Sequence, residues 1–403
     1  MFEICTYDEC TGCCACMNIC PTKSIIMKED ANGYMCPTVD EEKCIHCNLC
    51  RNTCPINNMC KCLQPRQAYA AWNLNIEERR TSASGGIAVA LYSYAIENGW
   101  NCVGTVMDKD FNVVYEISKN KSQLDKFKNS KYAYSFTNDI YRKINDLLNK
   151  GEKVIFVGLP CQVAGLKNYL KEEKESLLTI DLVCHGVPPI IYLKEHILNI
   201  QRKRKKSIDK VSFRSESTFD FTLFSDNKKI YRKKVKSNDG YQLGYHKALF
   251  YRENCYKCKY ARKERTGDIT LGDYSGLGAA NDFKYEKRKI SLVLIQTEKG
   301  QKVINRISKN GKIFLVERPI EESINAERQL REPSKKHPKR NKFLELIKEH
   351  TFEYSIKKTL RTEMIKNRII EILKIKECKD YICKKMNRKL KSKIKLAIFH
   401  IKH

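Results

Sequence analysis

The sequence predicts an α+β fold in three parts: a small cysteine-rich domain over residues 1–62, a mixed α/β domain over 68–330 and a basic helical tail over 331–403. Three observations carry this. Of the 20 cysteines, 13 fall between Cys5 and Cys62. From Ala68 to about Ile320 short apolar runs alternate with helical patterns, the signature of an α/β domain. Beyond Arg331 the strand-like runs stop and lysines dominate. A chain of 403 residues is long enough to bury a substantial core around these parts.

The first part is read from its thiols. Bunched cysteines point to ligation, not to scattered disulfides. No basic stretch followed by an apolar run precedes Cys5 and Cys10, so no secretory leader is expected and the thiols are expected to meet a reducing cytoplasm. Cys10, Cys13, Cys16, Cys20 and Pro21 give the spacing C-x2-C-x2-C-x3-C-P, and Cys44, Cys47, Cys50, Cys54 and Pro55 repeat it. This is the pattern of a two-cluster bacterial-type ferredoxin. Three closely spaced thiolates wrap three irons of one cube, and the fourth cysteine reaches across to the other cube. Cys10, Cys13, Cys16 and Cys54 are therefore expected to hold one [4Fe-4S] cluster, and Cys44, Cys47, Cys50 and Cys20 a second. Paired C-x2-C motifs also build zinc sites, but eight ordered ligands and two prolines exceed what one tetrahedral ion needs. Cys5, Cys14, Cys36, Cys60 and Cys62 have no equivalent register and read as small buried hydrophobes.

In the second part the runs Val154 to Gly158, Leu177 to Val183 and Ile290 to Gln296 read as strands. Cys161 follows the first and Cys184 the second, each ahead of a helix that carries Val163, Leu166 and Leu170, or Ile190, Leu193 and Ile197, on one face. Strand C-terminal ends border the ligand crevice of open α/β sheets, and consecutive parallel strands would bring the two thiols together. Cys255 and Cys258 add a C-x2-C pair. From spacing alone, a third four-thiolate site and two structural cysteines beside an unrelated knuckle stand equal. Between Val211 and Val235 the alternation of Phe219, Phe221 and Leu223 predicts an antiparallel insertion or edge, so the sheet should be mixed.

In the tail, Met386, Leu390, Ile394, Ile398 and Ile401 recur at near-helical spacing after Ile382, with lysines and arginines opposite. Such a helix suits an anionic membrane surface, although packing on its own core or on another subunit is the commoner use of that face. Cys378 and Cys383 read as ordinary apolar positions. No apolar run of about 18 residues predicts a spanning helix. A net charge of +29 attracts acidic proteins, anionic lipids or nucleic acid alike, and no nucleic-acid-binding motif accompanies it, so no nucleic acid partner is expected. The expected location is cytoplasmic, with the tail offering peripheral contact to the inner face of the membrane.

Several runs then become recognisable together: Ser84-Gly85-Gly86 leading to Tyr94 and Gly99, Ser130-Lys131-Tyr132, Gly158-Leu159-Pro160-Cys161-Gln162, Asp181-Leu182-Val183-Cys184-His185-Gly186, Cys255-Tyr256-Lys257-Cys258 and Gly267-Asp268-Ile269. In order and type they resemble the coenzyme F420 hydrogenase/dehydrogenase beta subunit family, over about Ala68 to Ile304. The resemblance implies a flavoprotein that binds FAD beside one [4Fe-4S] cluster. It assigns that third cluster to Cys161, Cys184, Cys255 and Cys258, and FAD to Ser84, Gly85, Gly86, Lys131, Tyr132 and the loop from Gly158 to Pro160. Backbone amides of a Gly-Gly pair at a helix start suit a pyrophosphate, though alone such a pair is more often a flexible turn into a helix. The family's simplest members lack the fused cysteine module, and no pocket for the deazaflavin is identifiable from the residues. His185 beside Cys184 reads either as a proton donor near the flavin or, more commonly for such a residue, as a structural histidine. No residue is assigned to catalysis. The implied function is an iron-sulfur flavin oxidoreductase that passes electrons between ferredoxin-type clusters and FAD, coupled to a two-electron redox substrate. Its electron partner is expected to be a redox protein such as ferredoxin or a reduced small-molecule carrier. The other reading is a non-catalytic electron-relay subunit of a larger redox complex.

Overall fold

The computed structural model of the chain describes residues 3–215, 219–235 and 237–372. They form two compact units. The first comprises residues 3–191, 212–215 and Tyr251–Lys336; the second comprises Tyr192–Val211, residues 219–235 and 237–250, and residues 337–372.

The strands, in chain order, are β1 (Ile25–Glu29), β2 (Met35–Val39), β3 (Gln67–Asn73), β4 (Asn101–Met107), β5 (Val113–Ser118), β6 (Ser135–Phe136), β7 (Val154–Gly158), β8 (Leu177–Leu182), β9 (Lys210–Ser212), β10 (Asp220–Ser225), β11 (Lys228–Lys234), β12 (Ile269–Asp273), β13 (Ser291–Ile295) and β14 (Ile313–Arg318).

The internal repeat of the N-terminal cysteine motif is repeated in backbone. Cys14 and Asn48 both adopt left-handed angles (φ 62° and 59°), each opening a five-residue helix, Ala15–Ile19 and Leu49–Thr53. Both helices end in an extended cysteine, Cys20 or Cys54, ahead of a proline that cannot continue the helix. β1 and β2 pair antiparallel, Ile25 opposite Val39, and close the module.

The first unit is built around a nine-stranded sheet in the order β14-β3-β13-β12-β8-β7-β4-β5-β6. Its centre, β12-β8-β7-β4, is parallel, and β13, β3 and β14 continue it antiparallel on one side. The sheet is mixed, as the sequence predicts. Strands buried on both faces lose the alternating pattern: every residue of β7 and of β13 is buried.

The cysteine module shares this unit with the sheet, whereas the sequence places a domain boundary after residue 62. Its own buried cluster is dominated by Cys16, Cys20, Cys50 and Cys54, with Ile4 and Ile25, which gives little apolar area. The module gains burial elsewhere. Cys13 and Ala15 belong to the core that includes Phe156, Val163 and Leu166. Hydrogen bonds fasten the seam: Tyr134 Oη to Gly12 O (2.7 Å), Thr137 Oγ1 to Cys13 O (2.9 Å), and Arg142 to the carbonyls of Asn18, Met17 and Cys20 (2.6, 2.9 and 3.0 Å).

The second unit holds most of helix Ile190–Arg204, the three-stranded sheet β11-β10-β9, and helices Gly240–His246, Arg340–Glu349, Phe352–Thr359 and Arg361–Ile372. β10 and β11 pair antiparallel, so the predicted β-rich stretch is an insertion with its own sheet. Tyr192, Phe221, Tyr241, Phe250, Phe343 and Phe352 are buried and packed ring on ring. Two of these rings and the buried Ile356 and Leu360 come from the segment the sequence assigns to a basic tail. The division at residue 331 follows charge, and these scattered apolar residues were outweighed by the lysines around them. The region assigned as 68–330 is likewise interrupted by this second unit. The amphipathic pattern from Ile382 to Ile401, with Cys378 and Cys383, lies outside the described residues. Among the described residues no helix is long and apolar enough to cross a membrane.

Candidate iron-sulfur and redox site

The eight cysteines of the two motifs are gathered into two sets, in the crossed arrangement that the spacing implies. Cys10, Cys13, Cys16 and Cys54 line one pocket with Cys5, Met27 and Pro37. Cys44, Cys47, Cys50 and Cys20 line another with Ser24, Val39 and His46. The pockets hold roughly 300 and 330 Å3 of space free of atoms, partly open to solvent. Among the described residues no three Cys, His, Asp or Glu side chains close on a point that would hold a single metal ion. The four cysteines of each set line one volume, the arrangement a multi-iron cube requires, so both sets fit a [4Fe-4S] cluster.

The two pockets differ electrostatically. All four cysteines of the first are buried, whereas Cys47 is exposed and Cys44 half-buried. Burial pushes the Cys13 thiol up to about 12. A hydrogen bond from the Cys5 thiol holds Cys54 low, at about 7. Cys10 is lowered by hydrogen bonds from the Cys36 and Cys5 thiols, against the effect of burial. Cys5 and Cys36 are thus polar neighbours of the Cys10 set and not the apolar filling their register suggested. The Arg252 guanidinium, 4% exposed as a residue, donates to Cys10 O (2.6 Å), Met35 O (2.6 Å) and Cys36 Sγ (3.2 Å). It places a buried cation beside this pocket. In the other, the Ser24 and Thr22 hydroxyls lie 3.2 and 3.5 Å from Cys20 Sγ.

The structure also brings together Cys161, Cys184, Cys255 and Cys258. β7 and β8 are adjacent and parallel, which puts Cys161 and Cys184 side by side beyond their C-terminal ends. Cys255 sits in the short helix Glu253–Lys257 and Cys258 caps it. Burial raises the Cys161 thiol, and the neighbouring thiols of Cys258, Cys184, Cys13 and Cys255 add to the rise. Cys184 is pushed up to about 12 by burial first and Cys258 next. Four desolvated thiols, held protonated because their anions would repel one another, suit a site where a cationic cluster takes the place of the protons. This set adjoins the Cys10 set: a Cβ added at Gly165, one turn beyond Cys161, would meet Cys13 Sγ at 3.2 Å. Glycine at this position leaves the helix Pro160–Leu170 close to the module without crowding Cys13 or Tyr141.

Beside the third set runs a buried ion pair absent from the sequence reading. Asp181 at the end of β8 accepts from Arg265 (3.0 and 3.2 Å), Thr266 N and Oγ1 (2.8 and 2.9 Å) and Gly267 N (2.9 Å).

The residues that the resemblance assigns to FAD are spread along the same sheet edge, and most of their polar atoms have protein partners. Ser84 Oγ donates to Ile290 O (2.8 Å), and Gly85 N donates to Ser291 Oγ (2.9 Å). A Cβ on Gly85 would sit 2.4 Å from Ala71 O, so the glycine lets its loop lie on β3 and β13. Gly86 caps helix Ile87–Glu97. The Lys131 amine reaches the carbonyls of Lys128, Lys126 and Asn129 (3.0, 3.1 and 3.4 Å), and burial pushes it down to about 7. Gly158 ends β7 and Pro160 starts the helix after it. Arg214 joins two of these stretches: it donates to both Asp273 oxygens (2.8 and 2.9 Å), to Tyr132 Oη (2.9 Å) and to Ala83 O (2.6 Å). Asp273 ends β12, the parallel neighbour of β8, so this fork lies at the edge where α/β crevices form. His185 is exposed as a residue, yet burial of its imidazole lowers it from the ordinary value, against Glu327 and Asp273, which raise it, and with Arg214, which lowers it.

A cysteine-lined module fused to a mixed sheet that carries a further cysteine set has the architecture of an iron-sulfur protein. Residues 151–321 match the family model described as the C terminus of the coenzyme F420 hydrogenase/dehydrogenase beta subunit, and residues 37–59, which span the second cysteine motif, match the 4Fe-4S binding domain. The chain is 25% identical over 327 residues to a coenzyme F420-dependent sulfite reductase of Methanocaldococcus jannaschii, covering 76% of this chain. It spans about half the length of that relative, 47%. A chain of the F420-reducing [NiFe] hydrogenase complex from Methanosarcina barkeri aligns at 17% identity and a TM-score of 0.46, over 79% of this chain and 94% of its own.

Proposed function

We propose that the protein is an iron-sulfur flavoprotein oxidoreductase that passes electrons between ferredoxin-type [4Fe-4S] clusters and FAD and couples them to a two-electron redox substrate. The observation that carries this reading is the placement of three cysteine sets in one compact unit, with the Cys10 set adjoining both the Cys20 set and the Cys161 set. Clusters, when bound, exchange single electrons, and a flavin pairs them for two-electron chemistry.

The chain's own residues define the roles. The exposed Cys47 and half-buried Cys44 put their pocket nearest to an outside redox protein such as ferredoxin. Cys10, Cys13, Cys16 and Cys54, all buried, hold the middle cluster. Cys161, Cys184, Cys255 and Cys258 hold the third cluster. Ser84 to Gly86, Lys131, Tyr132 and the Gly158–Pro160 loop, tied by Arg214, border FAD, and His185 is placed to move a proton at its rim. The names of the relatives make the deazaflavin F420 the first two-electron carrier to test. Unpaired ligand thiols suit the cytoplasm.

Anaerobically purified protein should carry about twelve irons per chain with flavin absorbance. Eight irons and no flavin would defeat this reading. The exposed Cys47, open to an outside redox protein, suits one other reading as well, a relay subunit that serves a separate catalytic chain. Photoreduced protein that is reoxidised by oxidised deazaflavin or NAD(P)+ without any added partner would reject the relay.

A further inference from the structure

Cys60 and Cys62 lie outside all three cysteine sets, on the segment that links the module to β3. The segment is fixed at both ends. Asn168 Nδ2 donates to Asn58 O (2.6 Å), and Leu63 and Arg265 exchange both backbone bonds at 2.8 Å. Between these anchors the two half-buried, free thiols are turned to the same side: they are in hydrogen-bond contact with each other, and Cys62 Sγ also approaches Cys60 O at 3.6 Å. Arg262 and Arg265 stand by Cys62, Lys167 stands by Cys60, and Asp181 faces both. Two thiols packed only to fill space have no need of mutual contact, and a cation beside one of them favours the thiolate that attacks sulfur.

We infer that Cys60 and Cys62 form a redox-active dithiol that reduces low-molecular-weight disulfides by thiol–disulfide exchange. The Cys62 thiolate attacks one sulfur of a disulfide RSSR; the S–S bond breaks, a Cys62–S–SR bond forms, and RS⁻ leaves and takes up the proton given up by Cys62. Cys60, deprotonated in turn, attacks the Cys62 sulfur, forms the Cys60–Cys62 disulfide and expels the second RS⁻, which takes up the Cys60 proton. Overall a dithiol and RSSR become a protein disulfide and two RSH. The protein is oxidised by two electrons and RSSR is reduced by two. A dithiol reductant returns the pair to its starting state. The pair is a chemical site in its own right and needs neither FAD nor a cluster for this step.

The test uses full-length, cluster-loaded protein kept anaerobic and mixed with oxidised glutathione, with released thiol measured over time and each cysteine mapped by differential alkylation and mass spectrometry. The wild type should release two glutathione thiols per linkage formed and yield a Cys60–Cys62 disulfide. Cys60→Ser should stop at one released thiol with glutathione retained on Cys62, and Cys62→Ser should lose the fast phase. Both variants should keep wild-type iron content. The inference is overturned if wild-type Cys62 stays glutathionylated, if both thiols remain unmodified while other cysteines react, if Cys60→Ser still releases both thiols, or if either substitution lowers the iron content and so makes the pair cluster ligands.

Discussion

Arg265 lies 3.0 Å from Asp181 with both side chains almost fully buried, at 1% and 0% exposure. The pair joins the end of β8 to the loop before β12, beside Cys184 and Cys258. An isolated carboxylate in such a place is costly, and removing one partner of a buried pair typically costs roughly 3–5 kcal/mol. Arg265→Leu should therefore lower the denaturant midpoint by far more than a surface Arg→Leu change. Arg265→Leu combined with Asp181→Leu should recover part of the loss, because no charge is then stranded. Equilibrium unfolding of the three variants measures this.

The crossed sharing of Cys20 and Cys54 has a counting consequence. Cys13→Ala with Cys54→Ala should cost about four irons, since both residues line one pocket. Cys13→Ala with Cys20→Ala should cost about eight, since they line different pockets. Uncrossed motifs would reverse the two results.

Arg252 holds a positive charge against the backbone of Cys10 and the thiol of Cys36. A buried cation favours the added electron of a reduced cluster. In Arg252→Met the midpoint potential of one cluster should fall while the others hold, and Arg252→Lys should recover most of the difference. Potentiometric titration followed by electron paramagnetic resonance reads it, and an unchanged potential in Arg252→Met would limit the residue to packing.

In the second unit His196 lies between two carboxylates, Asp239 at 2.9 Å from Nε2 and Glu353 at Nδ1. Burial pulls the imidazole down, but the two acids outweigh it and raise it to about 9. The folded value lies above the unfolded one of about 6.5. The stabilisation is thus complete below pH about 6.5 and lost as pH rises through 9. Burial raises and His196 lowers both Asp239 and Glu353, with a net shift downward, so their share is present above their unfolded values and lost in acid. Hydrogen exchange in Phe352–Thr359 should quicken, beyond the base-catalysed trend of an unfolded peptide, as pH climbs from about 6.5 towards 9. His196→Gln should remove that excess.

Local patterns were the most legible in the sequence. The two cysteine motifs carry their own pairing rule because a cube demands three ligands from one loop and one from elsewhere. β7 reads as a strand because burial on both faces makes it continuously apolar, β8 is as buried although Thr179 and Asp181 interrupt its apolar run, and Cys161 and Cys184 follow from their shared direction. Of the second unit only the β-rich stretch was legible; its aromatic core was not, because Tyr192, Phe250 and Phe352 meet across long separations and no local period links them. Arg214, Arg252 and Arg265 were hidden for a different reason. In a chain of 76 lysines and arginines a buried guanidinium has no compositional mark. The one available hint was position, since Arg252 precedes Cys255 by three residues and Arg265 directly precedes Thr266-Gly267-Asp268.

Arg142 grips the cysteine module by three of its carbonyls, and Tyr134 and Thr137 grip it by two more. A module riveted in this way is not a swinging arm. Its inner pocket is held at a fixed separation from the Cys161 helix, so transfer across it should be indifferent to solvent viscosity, and diffusion should govern only the arrival of whatever docks outside.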